Sequence, residues 1–193
     1  MTFRRTKCPH CRDKLEDGQR IHPGCIDGYA EAQQAKALRT AEKQARMQAK
    51  VEKAKDRAAR ERQKTIPQLI AEAQKEFNAY IRLRDQIAGH PCISSGRPLD
   101  WSGNAVDAGH YRSTGAASHL RFDEDNCHAQ SKHDNKYLAG NAADYRLGLI
   151  ARIGLARVEA LEANNEVIRW DRDTLRQIKT IYRAKTRELK RNA

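Results

Sequence analysis

Two groups of residues in this sequence have the types and spacing that chemistry requires, and the first lies near the N-terminus. Cys8 and Cys11 form a C-x2-C pair, and His22 and Cys25 follow as H-x2-C. Thiolate and imidazole groups are the ligands that tetrahedral Zn2+ prefers, and four protein ligands leave no open position for a substrate. Because residues 1–28 contain hardly any apolar core, a metal is the expected staple. The pattern predicts a structural zinc site; the alternative is a set of free thiols beside a surface histidine.

The second group is the densest polar cluster of the chain. It comprises Asp107-Ala108-Gly109-His110-Tyr111, a later run with Asn126 and His128, and finally Asn135. A neutral imidazole can take a proton from water near pH 7, and a divalent cation can stabilise a phosphate during in-line attack. The order of a histidine, a loop asparagine and a final asparagine resembles that of HNH nucleases. The cluster therefore favours phosphodiester hydrolysis centred on His110.

A longer stretch carries a closer resemblance. The matching segments are Cys92 to Gly96, Asp107 to Tyr111, Leu120 to Phe122, Asn126, His128, Gln130 and Asn135. Through them, residues 76–140 resemble the NinG (or Rap) recombination endonucleases of lambdoid phages, and the order of zinc knuckle, charged helix, nuclease core and helical tail is similar too. The resemblance implies a metal-dependent endonuclease that acts on branched DNA, such as Holliday junctions and D-loops, in phage or prophage recombination.

The resemblance also implies roles within the cluster. His110 is the expected general base, and Asn126 is the residue expected to fix the loop that orients it. Many HNH enzymes have a metal ligand directly before the base, where this chain has Gly109. Because side chains alternate along a strand, Asp107 projects to the same face as position 109 and is the expected ligand of Mg2+ or Mn2+. Asn135 is the second expected metal ligand.

Three further residues have expected roles. His128 is a third metal ligand or a contact of the leaving group, while Arg112 and Arg121 contact DNA phosphates. For every residue of the cluster, the alternative interpretation is an exposed or turn-forming polar side chain.

The sequence departs from the family at a second zinc site. The family carries two C-x-x-C pairs where this chain has Cys92, Ser95, Ser131 and Asp134. A serine hydroxyl is a poor zinc ligand, so we expect no high-affinity zinc here and a core held by packing and hydrogen bonds. The alternative is that Cys127 and His133 rebuild a zinc site with Cys92 and Asp134.

The helices that must position these residues are visible in the composition. Residues 29–64 contain no Gly or Pro and carry 11 basic against 5 acidic residues, which predicts a long charged helix. Thr65 and Pro67 suit the start of a second helix that reaches about position 88. Two more helices are expected at 142–163 and 171–190, where apolar residues follow helical spacing.

Between these helices, apolar pieces around Ile93 and Trp101 and then around Val106 predict a hairpin, followed by a loop and a short helix. The expected fold is mainly α with a small ββα-metal (HNH) core, an N-terminal zinc knuckle, a long charged helix and a helical C-terminal tail. The expected domains are 1–28 (zinc knuckle), 29–64 (charged helical linker), 65–140 (helix plus nuclease core) and 141–193 (C-terminal helices).

The charge of the chain favours a polyanionic partner. The formal net charge is +12 and the sequence pI is about 9.7, and Lys or Arg facing phosphates gain affinity through counterion release. No stretch approaches the roughly 18 to 20 apolar residues that span a bilayer, and no apolar leader follows the N-terminus. We therefore expect a DNA partner, no membrane, the cytoplasm of a host bacterial cell, and a possible homodimer, because paired nicks need two active sites.

Three functions fit these observations. The leading hypothesis is the branched-DNA endonuclease. The competing hypothesis is a DNA-binding protein with an inactive HNH fold, in which the loss of the second zinc site has disabled the core. A third is a structural protein whose long charged helix mediates assembly.

Overall fold

The computed structural model describes residues 5–137 and 140–193. The chain divides into two compact units, Met1–Gln63 and Lys64–Ala193. The described residues are mainly helical with one small sheet, and no helix among them has the length and apolarity needed to cross a bilayer. Their regular elements are α1 (Ile26–Gln63), α2 (Ile66–Ile87), β1 (Val106–His110), β2 (Cys127–Ser131), α3 (Ala142–Ile153), α4 (Leu155–Ala163) and α5 (Arg172–Asn192).

The N-terminal unit consists of a small knuckle followed by α1. Lys7 and Lys14 form an isolated antiparallel bridge around the turn that carries Cys8 and Cys11. A short 3-10 turn at Pro23–Cys25 leads into α1. The sequence of α1 is rich in helix formers, which explains why it is helical. None of its residues is buried, because it has no apolar face. The predicted long charged helix is confirmed.

The first helix of the second unit starts where the sequence predicts. The hydroxyl of Thr65 accepts a hydrogen bond from the backbone N of Gln68, and the Gln68 side chain accepts one from the backbone N of Thr65. This reciprocal pair is a capping box. The buried residues of α2 recur at every fourth position: Leu69, Ala73, Phe77, Ile81 and Asp85. An otherwise apolar stripe therefore ends in a carboxylate.

The C-terminal helix α5 packs along this stripe. Leu175 near its start packs with Leu69 and Ala73, and Tyr182 further along packs with Phe77. Because the contacts advance along both helices together, α2 and α5 run in the same direction. They form the support on which the small sheet lies.

The sheet corrects one prediction. β1 pairs with β2 in antiparallel register, so that Val106 faces Ser131 and His110 faces Cys127. The predicted hairpin around Ile93 and Trp101 is wrong, because residues 91–105 form turns and extended loop without a strand. Cys92 and Ile93 are buried, and the backbone N of Ile93 donates to the carbonyl oxygen of Ala129 in β2 at 3.1 Å. Residues 95–105, however, are half-buried or exposed and offer no face to cover, so no strand continues from Ile93.

A short π-helical turn, His133–Tyr137, follows β2. The helix predicted at 142–163 is broken at Gly154, whose φ of +86° is a conformation that residues with a side chain rarely adopt. The two resulting helices, α3 and α4, pack Tyr145 and Val158 against Leu120 of the long loop between β1 and β2. That loop is therefore covered by a second small core.

Candidate functional site

The four predicted zinc ligands come together in the N-terminal unit. Ligand atoms of Cys8, Cys11, His22 and Cys25 all lie within 4.8 Å of one another. This spread suits one tetrahedral ion with metal–ligand bonds of about 2.0 to 2.3 Å. The knuckle could therefore hold a structural metal such as zinc.

The imidazole of His22 is oriented for a metal. Its Nδ1 lies 3.2 Å from Sγ of Cys11, and its Nε2 lies 3.1 Å from the carbonyl oxygen of Lys14. Because a carbonyl can only accept a hydrogen bond, Nε2 carries the ring proton and Nδ1 keeps its lone pair. Burial alone would raise the pKa of the Cys8 thiol, but backbone N–H groups of the knuckle outweigh it and lower the pKa of Cys8 to about 6. At Cys8 the thiolate, which is the form that binds metals, is thus favoured, whereas the pKa of the neighbouring Cys11 thiol is raised to about 11.

In the second unit, His110 is the last residue of β1. Its Nε2 lies 3.0 Å from the carbonyl oxygen of Arg121, so Nε2 donates and carries the ring proton. Its Nδ1 faces Sγ of Cys127 at 3.7 Å, and the ring packs near Phe77 with 6.1 Å between centroids. The tautomer of His110 is therefore fixed, with Nδ1 unprotonated.

Burial also sets the charge of this ring. It lowers the pKa of His110 below the ordinary value of 6.5, and the hydrogen bond to the Arg121 carbonyl, which favours the charged form, offsets only part of this effect. The imidazole is neutral at pH 7. A neutral ring with Nδ1 unprotonated is the state that a general base requires, and here the Cys127 thiol is the group that Nδ1 faces.

Asn126 joins the two ends of the loop between β1 and β2. It is 0% exposed. Its Oδ1 accepts a hydrogen bond from the backbone N of Arg112 at 2.8 Å, and its Nδ2 donates to the carbonyl oxygens of Arg112 and Leu120 at 3.0 and 3.1 Å. Its own carbonyl accepts from the backbone N of Tyr111 at 2.8 Å. Four hydrogen bonds thus hold the backbone of Tyr111 and Arg112, directly after His110, and that of Leu120 further along the loop.

Asp107 and Asn135 are brought into contact. Asn135 lies in the helical turn after β2, and its Nδ2 donates to Oδ2 of Asp107 at 3.1 Å. The alternation along β1 puts the Asp107 side chain on the face opposite His110, as the sequence predicts. The two side chains meet through the amide nitrogen, and each also has an oxygen, carboxylate or amide, of the hard type that Mg2+ and Mn2+ prefer.

Packing explains why the residue before His110 is a glycine. A Cβ atom at Gly109 would lie 2.1 Å from Oε1 of Gln130, whose side chain fills this space. Gln130 is held there because its Nε2 donates to Oγ of Ser94 and to the carbonyl oxygen of Gly140, both at 2.7 Å. The Tyr145 hydroxyl donates to the carbonyl of Gly109 at 2.8 Å. Position 109 therefore has no room for a ligand side chain.

His128 is not part of the Asp107–Asn135 pair. It is 3% exposed, its Nδ1 accepts from Nη2 of Arg84 at 3.0 Å, and its Nε2 donates to the carbonyl oxygen of Asp125 at 3.2 Å. Burial lowers its pKa, and the nearby Asp85 carboxylate, with Oδ2 3.7 Å from Nδ1, favours the charged ring but offsets only part of this. Both ring nitrogens are occupied by protein groups, so the structure gives His128 a hydrogen-bonding position.

The two arginines that we expect to contact phosphates both have internal partners. Arg112 donates through Nη1 to the carbonyl oxygens of Leu161, at 2.8 Å, and Asn164 at the C-terminal end of α4. Arg121 donates to Oε1 of Gln74 at 3.3 Å and to the carbonyl oxygen of Thr114 at 3.1 Å. These contacts tie the loop to its surroundings, and a role in phosphate binding stays a prediction.

The positions of the family's second zinc site form a hydrogen-bonded cluster. Oδ2 of Asp134 accepts from Oγ of Ser131 at 2.7 Å and from Sγ of Cys92 at 3.1 Å. His133 is near, with Nδ1 3.9 Å from Oδ1 of Asp134, but Cys127 lies beside His110 instead. Among residues 5–137 and 140–193, these side chains do not converge as the N-terminal ligands do. The described contacts therefore match the expected hydrogen-bonded core.

The sequence interpretation missed Arg84 and Asp85, which lie at the end of α2 against β2. Oδ2 of Asp85 accepts from the backbone N of Ala129 at 2.6 Å. A signal was available, because Asp85 continues the four-residue spacing of Leu69 to Ile81 and so falls on the buried face. A carboxylate in that register indicates a buried polar contact.

Comparison with known proteins identifies the family. A family model described as "Bacteriophage Lambda NinG protein" matches residues 2–192. Similar curated proteins include Protein ninG of Salmonella phage P22 (42% identical over 123 residues, covering 63% of this chain and 57% of the relative) and Protein ninG of Escherichia phage 933W (43% over 123 residues, 63% and 58%). Protein ninG of Escherichia phage lambda is 42% identical over 123 residues, with 63% and 57% covered. No solved structure matches the chain significantly.

These alignments span less than two thirds of the relatives' own length, 57% for the phage P22 protein. The family model, by contrast, covers nearly all of this chain. The chain belongs to the NinG family of bacteriophage proteins.

Proposed function

We propose that this protein is a metal-dependent DNA endonuclease of the HNH type that cuts branched DNA during phage or prophage recombination, in the cytoplasm of the host. The observation that carries the proposal is the state of His110. Its Nε2–H group is held by the Arg121 carbonyl at 3.0 Å, and burial lowers its pKa. Nδ1 is left as a basic lone pair at the end of a strand.

In the proposed reaction, Nδ1 of His110 takes a proton from the attacking water. The carbonyl of Arg121 then stabilises the imidazolium that forms, because an acceptor bound to Nε2–H favours the charged ring. Asn126 keeps the loop backbone in place throughout, through its contacts with Arg112 and Leu120. In this proposal His110 accepts the proton and Asn126 holds the backbone that positions it.

Asp107 and Asn135 are the residues that would hold the divalent cation. Their oxygen donors suit Mg2+ or Mn2+, and the hydrogen bond of 3.1 Å between them holds the two side chains together. A bound cation would stabilise the charge on the phosphate and on the leaving oxygen. His128 has a different role in this proposal, because both of its ring nitrogens bond to protein groups.

The substrate class is supported by the distribution of charge. The net charge is +12, and exposed basic side chains include Arg187, Lys190 and Arg191 near the end of α5. Contacts from such side chains to phosphates report the geometry of the backbone and carry no sequence information. A branched DNA that is recognised by shape therefore suits this protein better than a specific base sequence.

The test is a cleavage assay with the full chain. A labelled four-way junction and a linear duplex are incubated with Mg2+ or Mn2+, and in parallel with EDTA. We expect metal-dependent cleavage of the junction that His110→Ala abolishes. His119→Ala is the matched control, because His119 is also half-buried with its Nε2 3.0 Å from a carbonyl oxygen, that of Asn164, yet lies outside the cluster.

A DNA-binding protein with an inactive HNH fold is the second candidate. The observation that favours it is the thiol of Cys127, which lies 3.7 Å from Nδ1 of His110 where a base needs water. In the same assay, tight binding of the junction without cleavage under either metal would establish this candidate and exclude the endonuclease.

A further inference from the structure

Asp85 is a buried carboxylate that the proposed reaction does not use. It is 0% exposed. Its Oδ1 accepts from Nε of Arg84 at 2.7 Å, and its Oδ2 accepts from the backbone N of Ala129 at 2.6 Å. Burying an ion is unfavourable unless partners compensate for the lost water. The groups that contact Asp85 and Arg84 therefore indicate what these two residues do.

The guanidinium of Arg84 completes a clamp on one strand. It donates to the carbonyl oxygens of Glu124 and Cys127 at 3.2 and 3.1 Å, and to Nδ1 of His128 at 3.0 Å. Together with the bond from Asp85 to Ala129, these contacts hold the start of β2 along its outer edge. That is the edge that β1 leaves unpaired.

The inner edge of the same strand supports His110. Cys127 faces His110 in the antiparallel register, with Sγ 3.7 Å from Nδ1. Asn126, directly before it, accepts a hydrogen bond from the backbone N of Tyr111 at 2.8 Å. A shift of β2 relative to α2 would therefore move His110 and the loop that orients it.

We propose that Arg84 and Asp85 are positioning residues, which fix His110 by clamping β2 to α2, and that His128 is part of this clamp. The inference rests on the proposed function, because it assumes that His110 is the general base. The clamp reaches His110 through the backbone of Cys127 and does not touch the reacting atoms.

The charges around the clamp support an ionised Asp85. Burial disfavours the carboxylate, but the side chains of His128 and Arg84 outweigh this effect and keep the pKa of Asp85 well below its ordinary value. A second guanidinium also faces it, since Nη1 of Arg152 lies 3.6 Å from Oδ2. Two cations and one anion thus lock α2, α3 and β2 together.

The test uses three variants of the full chain. Asp85→Asn keeps the shape but removes the charge. Arg84→Lys keeps the charge but cannot reach the same set of acceptors, because a single ammonium lacks the planar fork of the guanidinium. Asp173→Asn is the matched control, since Asp173 also pairs with an arginine, at 3.1 Å to Nη1 of Arg176, but is 84% exposed.

Two measurements separate positioning from general stability. The first is cleavage of a four-way junction with Mg2+ over a range of substrate concentrations. We expect Asp85→Asn to lower kcat at least about tenfold while KM changes less than about twofold, because a misplaced base weakens the chemical step rather than binding. The second is the ring nitrogen spectrum of His110 by two-bond 1H–15N NMR, which reports tautomer and environment without requiring activity.

In the folded Asp85→Asn and Arg84→Lys variants we expect shifted His110 ring signals, with Arg84→Lys closer to the wild type, and no shift in Asp173→Asn. Unchanged His110 signals in a folded clamp variant would overturn the positioning role, whatever the activity. A wild-type chain that binds the junction but never cleaves it would overturn the proposed function instead. Thermal unfolding verifies that each variant is folded.

Discussion

Replacing Asn126 is the sharpest test of how the site is held. Its side-chain amide makes three hydrogen bonds to the backbone: to the N–H and C=O of Arg112 and to the C=O of Leu120. In Asn126→Ala the two Arg112 groups lose this partner at once, whereas the Leu120 carbonyl keeps the backbone N of Asp123 at 3.2 Å. The loop should therefore lose stability well beyond what the removal of one small side chain costs.

The size of the effect follows from burial. Leu120 is 3% exposed, but its carbonyl keeps the hydrogen bond from the backbone N of Asp123 at 3.2 Å, so the loss of the amide costs about 1 kcal/mol there. Arg112 is half-buried, so water can partly replace the lost amide, and each of its two groups costs about 1 kcal/mol. The expected loss is about 3 kcal/mol, which is a large part of the roughly 5 to 15 kcal/mol of a typical domain.

The assay is urea unfolding followed by tryptophan fluorescence. Trp101 and Trp170, the two tryptophans of the chain, both lie in the unit that contains Asn126. Asn78→Ala is the control: Asn78 is half-buried on α2 and accepts one side-chain hydrogen bond, from Gln74 at 2.6 Å, so it should lose less than about 1 kcal/mol. A loss below about 1 kcal/mol for Asn126→Ala, at an unchanged m value, would refute the reasoning.

Asn126→Asp separates hydrogen bonding from shape. Its carboxylate can still accept from the backbone N of Arg112, but its other oxygen faces two carbonyl oxygens where Nδ2 donated. At pH 7 we expect this variant to be at least as unstable as Asn126→Ala. Because the buried acid has a raised pKa in the folded state, lowering the pH should bring its stability closer to that of the wild type. A constant difference from pH 7 to pH 5 would contradict this account.

Three other outcomes are expected. Zinc analysis by mass spectrometry should find one atom per chain in the wild type and none in Cys25→Ser, whereas two atoms in the wild type would mean that the core binds zinc as well. Burial lowers the pKa of three histidines in the folded chain, namely His90, His110 and His128. Because the unfolded chain then binds more protons, the free energy of unfolding should fall as the pH drops through about 6.5. A flat profile from pH 8 to 5 would contradict this. Arg112→Lys should lose about 1 to 3 kcal/mol in urea unfolding, because an ammonium cannot reach the same set of acceptors; unchanged stability would contradict this, and weaker junction binding would support the predicted phosphate contact.

The helices could be predicted from the sequence because their signals are local. Thr65 and Gln68 lie within one turn of each other, and the apolar stripe of α2 repeats every four residues. The break at Gly154 could not be predicted in this way, because a glycine inside a helical pattern does not reveal its φ angle. Only the surrounding packing decides whether it continues a helix or ends it.

The partners of polar side chains could not be predicted in the same way, because they depend on long-range contacts. Arg112 follows the His110 motif, where a phosphate contact is the natural expectation, yet it meets carbonyl oxygens of α4 about fifty positions later. His128 likewise matches a ligand by type, but Arg84 and Asp125 occupy its nitrogens. A residue type fixes what a side chain can bond to, whereas the tertiary fold fixes which bond it makes.

Cys92, Ser131 and Asp134, which lie at positions of the family's second zinc site, are joined by hydrogen bonds. Zinc joins four thiolates because each one carries negative charge and needs a cation at the centre. Here the negative charge lies on Asp134 instead, and the neighbours are an O–H and an S–H that donate to it at 2.7 and 3.1 Å. The backbone N of Ser131 also donates to the Cys92 sulfur at 3.3 Å. The chain segments are thus joined by donors around one negatively charged carboxylate, whereas in a thiolate site negatively charged ligands surround one cation. Since Asp134 directly precedes Asn135, the residue that replaces a zinc ligand also helps to set the position of the proposed catalytic metal ligand.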